Sequence, residues 1–79
     1  MPRLPQVSGA ELARLLEDLG YEFVRQRGSH ARYRFRASAG VHFVTVPMHP
    51  VLAKGTLSDI LSSVSVWTGL TKDDLIERL

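Results

Sequence analysis

Near the N-terminus, apolar residues recur at Leu12, Leu15, Leu16 and Leu19, the spacing that lines one side of a helix, while Glu11, Arg14, Glu17 and Asp18 occupy the other side. Ser8 followed by Glu11 is a capping box, in which hydroxyl and carboxylate each satisfy a backbone N–H that lacks an intrahelical partner. The pattern predicts a helix over 9–19, stopped by Gly20. From Tyr21 the period changes to two. Tyr21 to Arg27 reads as a strand, Gly28-Ser29 as a tight turn, and Ala31 to Arg36 as a second, antiparallel strand. There Ala31, Tyr33 and Phe35 alternate with His30, Arg32, Arg34 and Arg36, so one side is apolar and the other carries a histidine and three arginines.

A loop over 37–40 leads to a third strand, Val41 to Val46, ended by Pro47 and the Met48-His49-Pro50 corner. Both of its faces contain apolar residues, so alternation does not orient it. Gly55-Thr56 precedes a second helix, with Thr56 expected as N-cap and Leu57, Ile60, Leu61 and Val64 on its buried side. Thr71 with Asp74 predicts a short last helix through Leu75, Ile76 and Leu79. The sequence shows no repeat and no low-complexity stretch. It predicts one domain over 1–79, an α+β fold of two layers, with both main helices on one face of a three-stranded sheet.

Charge changes this picture more than composition does. The formal net charge of the 79 residues is only +2. From Phe23 to Ser58, however, the chain holds five arginines, Lys54, all three histidines and no carboxylate, a formal +6 against −4 for the remainder. So divided a charge favours a polyanion on one face. The absence of cysteine excludes disulfides, thiolate metal sites and a thiol nucleophile. His30, His42 and His49 are spaced by 12 and 7 residues with no carboxylate nearby, a pattern that fits no compact ligand set, so neither a metal nor another cofactor is expected. There is no signal-peptide pattern and no apolar run approaching the roughly 20 residues that span a bilayer, so the expectation is a cytoplasmic protein without a membrane partner.

RNA is a polyanion on which such a face can act without a metal. If the 2′-OH attacks the adjacent phosphate, one group must take its proton, another must protonate the leaving oxygen, and cations must stabilise the developing negative charge. Histidine exchanges protons near neutral pH, and His30 sits on the strand face that carries Arg32 and Arg34, whose guanidinium forks suit phosphate. His49 is the best candidate for the second proton-transfer group, with Lys54 as an alternative cation. His42 reads as an ordinary strand residue, Trp67 as core or partner surface, and Tyr33 and Phe35 as core rather than base-stacking residues.

The chain resembles the HicA toxins, also called YcfA-like proteins, which are small mRNA interferases of toxin–antitoxin systems with a fold similar to the double-stranded-RNA-binding domain. The resemblance is carried by the leading amphipathic helix ending Leu19-Gly20-Tyr21, then Arg27-Gly28-Ser29-His30, Val44-Thr45-Val46-Pro47-Met48-His49, Lys54-Gly55-Thr56-Leu57 and Thr68-Gly69-Leu70-Thr71. It implies an α-β-β-β-α layout with a short C-terminal helix, ribosome-independent cleavage of mRNA, His30 as the catalytic residue and a HicB-type antitoxin as partner. Combined with the charge pattern, the RNA-contacting set is expected to be Arg25, Arg27, Ser29, Arg32, Arg34, Arg36, His49 and Lys54. In the second helix, Ser58, Asp59, Ser62 and Ser63 stand where family members commonly carry basic residues. Two other readings stay open: a non-catalytic module of the double-stranded-RNA-binding type, and an adaptor whose arginine face docks an acidic protein.

Overall fold

The computed structural model describes residues 3–79. Its elements are α1 (Gly9–Asp18), β1 (Glu22–Arg27), β2 (His30–Ala37), β3 (Gly40–Pro47), α2 (Lys54–Thr68) and α3 (Lys72–Glu77), with the strands in one antiparallel sheet ordered β1-β2-β3. This is the expected α+β layout, consistent with the α-β-β-β-α arrangement of double-stranded-RNA-binding folds. Among the described residues no helix is long and apolar enough to cross a membrane.

The capping box of α1 closes as expected: Ser8 Oγ accepts from the Glu11 N–H and Glu11 Oε1 accepts from the Ser8 N–H, both at 3.0 Å. Gly20, at φ +105°, turns the chain out of the helix so that the Tyr21 N–H donates to the Leu16 carbonyl at 2.9 Å. The start of α2 differs from expectation. Its N-cap is Ala53, with no side-chain cap bond, so Lys54, Gly55 and Thr56 all lie inside the helix. The cause is tertiary: Leu52 is buried and its N–H donates to the Val7 carbonyl at 2.8 Å, which holds the chain extended only as far as Ala53. Thr71 does cap α3, accepting from the Asp74 N–H at 3.1 Å, and the Lys72 ammonium donates to Ser58 and Ser62 of α2.

The core lies between the helices and one face of the sheet. Leu12 and Leu16 of α1 meet Val46 of β3, Leu57 and Leu61 of α2 and Leu75 of α3 there, all essentially inaccessible. Each such side chain stabilises the fold by roughly 1.5–3 kcal/mol relative to an exposed position. Packing also settles the orientation of β3: Val44 and Val46 face the core with Ala31 and Tyr33, and Val41, Phe43 and Thr45 face out.

His42 belongs to the core-facing set and joins an aromatic cluster at the far end of the sheet from His30. It stacks flat on Trp67, with centroids 5.3 Å apart and planes 5° from parallel, and lies 2.7 Å from the Tyr21 hydroxyl through Nδ1. Burial raises Tyr21 to a pKa of about 12 and lowers that of His42. At neutral pH a neutral phenol therefore meets a neutral imidazole, and the imidazole tautomer sets which of the two donates. Tyr21 in turn stacks on Phe35 at 4.9 Å.

The exit of β3 is stitched to two other parts of the chain. The Met48 N–H donates to the Ser29 carbonyl in the β1–β2 turn, and the Gly9 N–H donates to the His49 carbonyl at 2.9 Å. Gly9 has no room for a side chain, since a Cβ there would stand 2.2 Å from the Pro47 carbonyl oxygen and 2.8 Å from Met48 Cα. Gly9→Ala is therefore expected to destabilise by roughly 1–3 kcal/mol, as overpacking against backbone does. A lowered urea midpoint checks this, and an unchanged midpoint contradicts it.

His42 makes a second prediction. Its folded pKa lies below the ordinary 6.5, so the unfolded chain takes up the proton first as pH falls. The stability from this residue is complete above the unfolded value and is lost as pH drops through the folded one. Denaturant melts at pH 7.5 and below pH 6 should show this loss in the wild type and a smaller one in His42→Phe; equal losses would contradict it.

Candidate nucleic-acid interface

On the sheet face turned away from the helices, strand register sets side chains in rows. Arg27, His30 and Pro47 form the first, Arg25, Arg32 and Thr45 the second, Glu22, Arg34 and Phe43 the third, and Arg36 with Val41 the fourth. Adjacent rows are two strand residues apart, about 7 Å. The turn that starts the first row is tight: Gly28 has φ +55°, the sign a two-residue type II′ hairpin requires at its first central position, and the Gln26 side-chain amide donates to the Gly28 carbonyl at 2.9 Å. A bulge at Val24 shifts the register so that Arg25 and Arg27 stand opposite Arg32 and His30.

The two ends of this face differ electrostatically. In the third and fourth rows Glu22 Oε1 lies 3.6 Å from the Arg34 guanidinium and 3.7 Å from Arg36 Nε. The arginine run is thus not wholly without an acid partner, because Glu22, one residue before the carboxylate-free window, reaches two of its members by strand pairing. Arg34 Nε is shut off from solvent with no hydrogen-bond partner among the described residues. Exposed pairs of this kind contribute under about 1 kcal/mol, yet they fix where the charges sit.

In the first two rows no carboxylate intervenes. Arg25, Arg27, His30, Arg32 and Thr45 line an open depression of about 100 Å³. Arg25 lies directly across from Arg32, a cross-strand like-charge pairing that destabilises the sheet unless an anion sits between. The structure thus brings together four of the predicted residues, Arg25, Arg27, His30 and Arg32, and His30 among them is exposed. A larger groove of about 270 Å³ between α1 and the end of α3 is lined by Glu11, Asp18, Arg14 and Arg78, balanced in charge and without a histidine.

The other predicted residues lie outside the lining of this depression. Ser29 is half-buried in the turn, and its carbonyl is the one that Met48 holds. His49 is exposed one residue beyond Met48, on the segment that runs beside that turn. Lys54 is exposed at the first residue of α2, outside the lining of the depression. Arg34 and Arg36 lie at the Glu22 end. Tyr33 and Phe35 are on the helix side, as expected, and so are His42 and Trp67. Among the described residues no three His, Cys, Asp or Glu side chains come together as a metal-ligand group.

Besides Glu22, two polar or aromatic members of the face were not anticipated, Thr45 and Phe43. Both lie on β3, whose apolar residues on each face masked its orientation; Thr45 borders Arg32 and Phe43 borders Arg34. The Phe43 ring, 46 % exposed, carries the Arg32 guanidinium 4.5 Å from its centroid. At an exposed site such a cation–π contact contributes about 0.5–1 kcal/mol. Chemically the face combines an exposed imidazole, three guanidinium groups without an acid partner among the described residues, a hydroxyl and an open aromatic ring.

Comparison with curated proteins and with solved structures yields no match. A family model described as the HicA toxin of bacterial toxin-antitoxin systems matches residues 9–65, from the first residue of α1 through the whole sheet and well into α2. Since that span is most of the chain, the protein belongs to the HicA toxin family, the toxin member of a toxin–antitoxin pair with a cognate antitoxin.

Proposed function

We propose that this toxin is an endoribonuclease that cleaves mRNA, without a metal and without the ribosome, at the depression centred on His30. The observation that carries this reading is the uncompensated arginine pairing around an exposed histidine, at the one end of the face where Glu22 does not reach. Natural sheets avoid like charges opposite one another, and such local conflicts are expected where a ligand resolves them.

In the proposed reaction the 2′-oxygen attacks the adjacent phosphorus and the bond from phosphorus to the 5′-oxygen breaks. His30 takes the proton of the 2′-OH as general base. Arg25, Arg27 and Arg32 hold the non-bridging oxygens and stabilise the added negative charge. The leaving 5′-oxygen takes a proton from His49, with Lys54 as the alternative cation, and the first product carries a 2′,3′-cyclic phosphate. Ser29, Arg34 and Arg36 extend the RNA path to either side. A HicB-type antitoxin neutralises the enzyme by presenting carboxylates to the unpaired arginines and covering His30.

His30→Ala is expected to lower the cleavage rate at least about 100-fold, the lower end of what a general base contributes. Because the side chain is exposed, stability should stay within about 0.5 kcal/mol of wild type. Full activity in the folded variant contradicts the assignment, and wild-type protein that binds RNA without cutting it would make the chain a binding module instead.

Cleavage should also survive excess chelator, with an activity loss reversed by a divalent ion as the contrary result. Three arginine–phosphate contacts on single-stranded RNA give an expected slope of about −2 in log K against log salt concentration. Replacing Arg32 by Gln should reduce that slope by about 0.7. A flat salt response places the RNA elsewhere.

A further inference from the structure

We infer that Phe43 is a base-stacking platform, which makes the substrate of the His30 site single-stranded RNA bound with a nucleobase on β3 and the neighbouring phosphate on Arg32. The inference rests on the nuclease reading above and adds the strandedness of the substrate and the residue that selects it. Phe43 is the one aromatic side chain on the open face among the described residues, and nearly half of its surface is exposed. Core packing does not account for an aromatic ring held on this face. It lies one row, about 7 Å, from Thr45 and Arg32 at the edge of the depression, the scale of a single nucleotide step.

In the free protein Arg32 rests over this ring at 4.5 Å, which hides part of its face and keeps the guanidinium within reach of the depression. A phosphate oxygen offers Arg32 charge-assisted hydrogen bonds, stronger than an exposed cation–π contact. Arg32 therefore transfers from ring to phosphate when RNA arrives, and the vacated ring face takes the adjacent base. Every base has a π-face, so stacking is tolerant of sequence; it requires only that the base be unpaired. A duplex presents its bases already stacked and paired, and is read through shape, phosphates and 2′-hydroxyls. Phe43 contributes nothing to that mode. An antitoxin side chain on the same ring is the competing occupant, but the acid-free cations that adjoin Phe43 through Arg32 favour a ligand that brings phosphate and ring together.

The test uses the full chain carrying His30→Ala, so that RNA is bound and not cut, and a single-stranded oligoribonucleotide containing 2-aminopurine, whose fluorescence falls on stacking. Binding should quench the probe. Adding Phe43→Leu, which keeps an apolar side chain on the strand, should abolish the protein-induced quench and weaken binding about fivefold or more. Adding Phe43→Trp instead should preserve both. In the His30-intact enzyme, Phe43→Leu should raise KM for single-stranded RNA with little change in kcat, and duplex RNA should be a poor substrate. Undiminished quench and affinity in the Phe43→Leu protein overturn the stacking assignment while leaving the nuclease reading intact. The same holds if Phe43→Leu weakens only the antitoxin complex, which makes the ring a protein-docking residue. If wild type neither binds nor cleaves RNA, both readings fall.

Discussion

The site depends on one local constraint, the stitching of the Pro47–Met48–His49 segment between two parts of the chain that are distant in sequence. Met48 ties it to Ser29 in the β1–β2 turn, and His49 ties it to Gly9 at the start of α1. The first bond adds an anchor at Ser29 to the pairing of His30 with Pro47, so the turn that presents His30 is held from β3 as well as by its own hairpin. The second bond joins the packing of Met48 against the core and the Leu52–Val7 bond in fixing the segment relative to α1. Gly9 permits the second contact because a helix can touch strand backbone closely only where no Cβ intervenes. The exposed imidazole is thus positioned by strand pairing on both sides and by these two backbone hydrogen bonds, rather than by packing against its ring.

Against this rigid frame the open face is electrostatically unfinished. One end is closed by Glu22, which reaches Arg34 and Arg36 across the β1–β2 pairing. The other end sets Arg25 against Arg32 with nothing acidic between them. The fold tolerates that conflict because its stability comes from the opposite face of the sheet. The same division separates the histidines: His42 faces the helices with Tyr21 and Trp67 as partners, whereas His30 stands exposed among arginines on the open face. The chain belongs to the HicA toxin family, and the proposed nuclease reaction gives His30 and the arginines of this face a task.

Much of this was legible in the residues. The capping box, the leucine stripe and the alternation of β2 specified α1, the hairpin and the basic side of the sheet, because each rests on local periodicity. What was not legible depended on tertiary contact. Thr56 carries the chemistry of an N-cap, but the Leu52–Val7 bond sets the helix start at Lys54. Glu22 belongs to the basic face only through pairing, so a charge count along the chain passed it by. Phe43 and Thr45 remained hidden because both faces of β3 hold apolar residues, and only the packing of Val44 and Val46 decides which face is buried.

The central claim, that RNA is held on the open sheet face around the uncompensated arginines, is tested most directly by mapping the contact residue by residue. Backbone amide resonances of the His30→Ala protein are followed during titration with a single-stranded oligoribonucleotide at low salt. Perturbations concentrated on Arg25, Arg27, Arg32, Phe43 and Thr45, with the outer faces of α2 and α3 silent, are the predicted result. Perturbations confined to α2 and α3, with the β1–β2 turn and β3 unmoved, would contradict it.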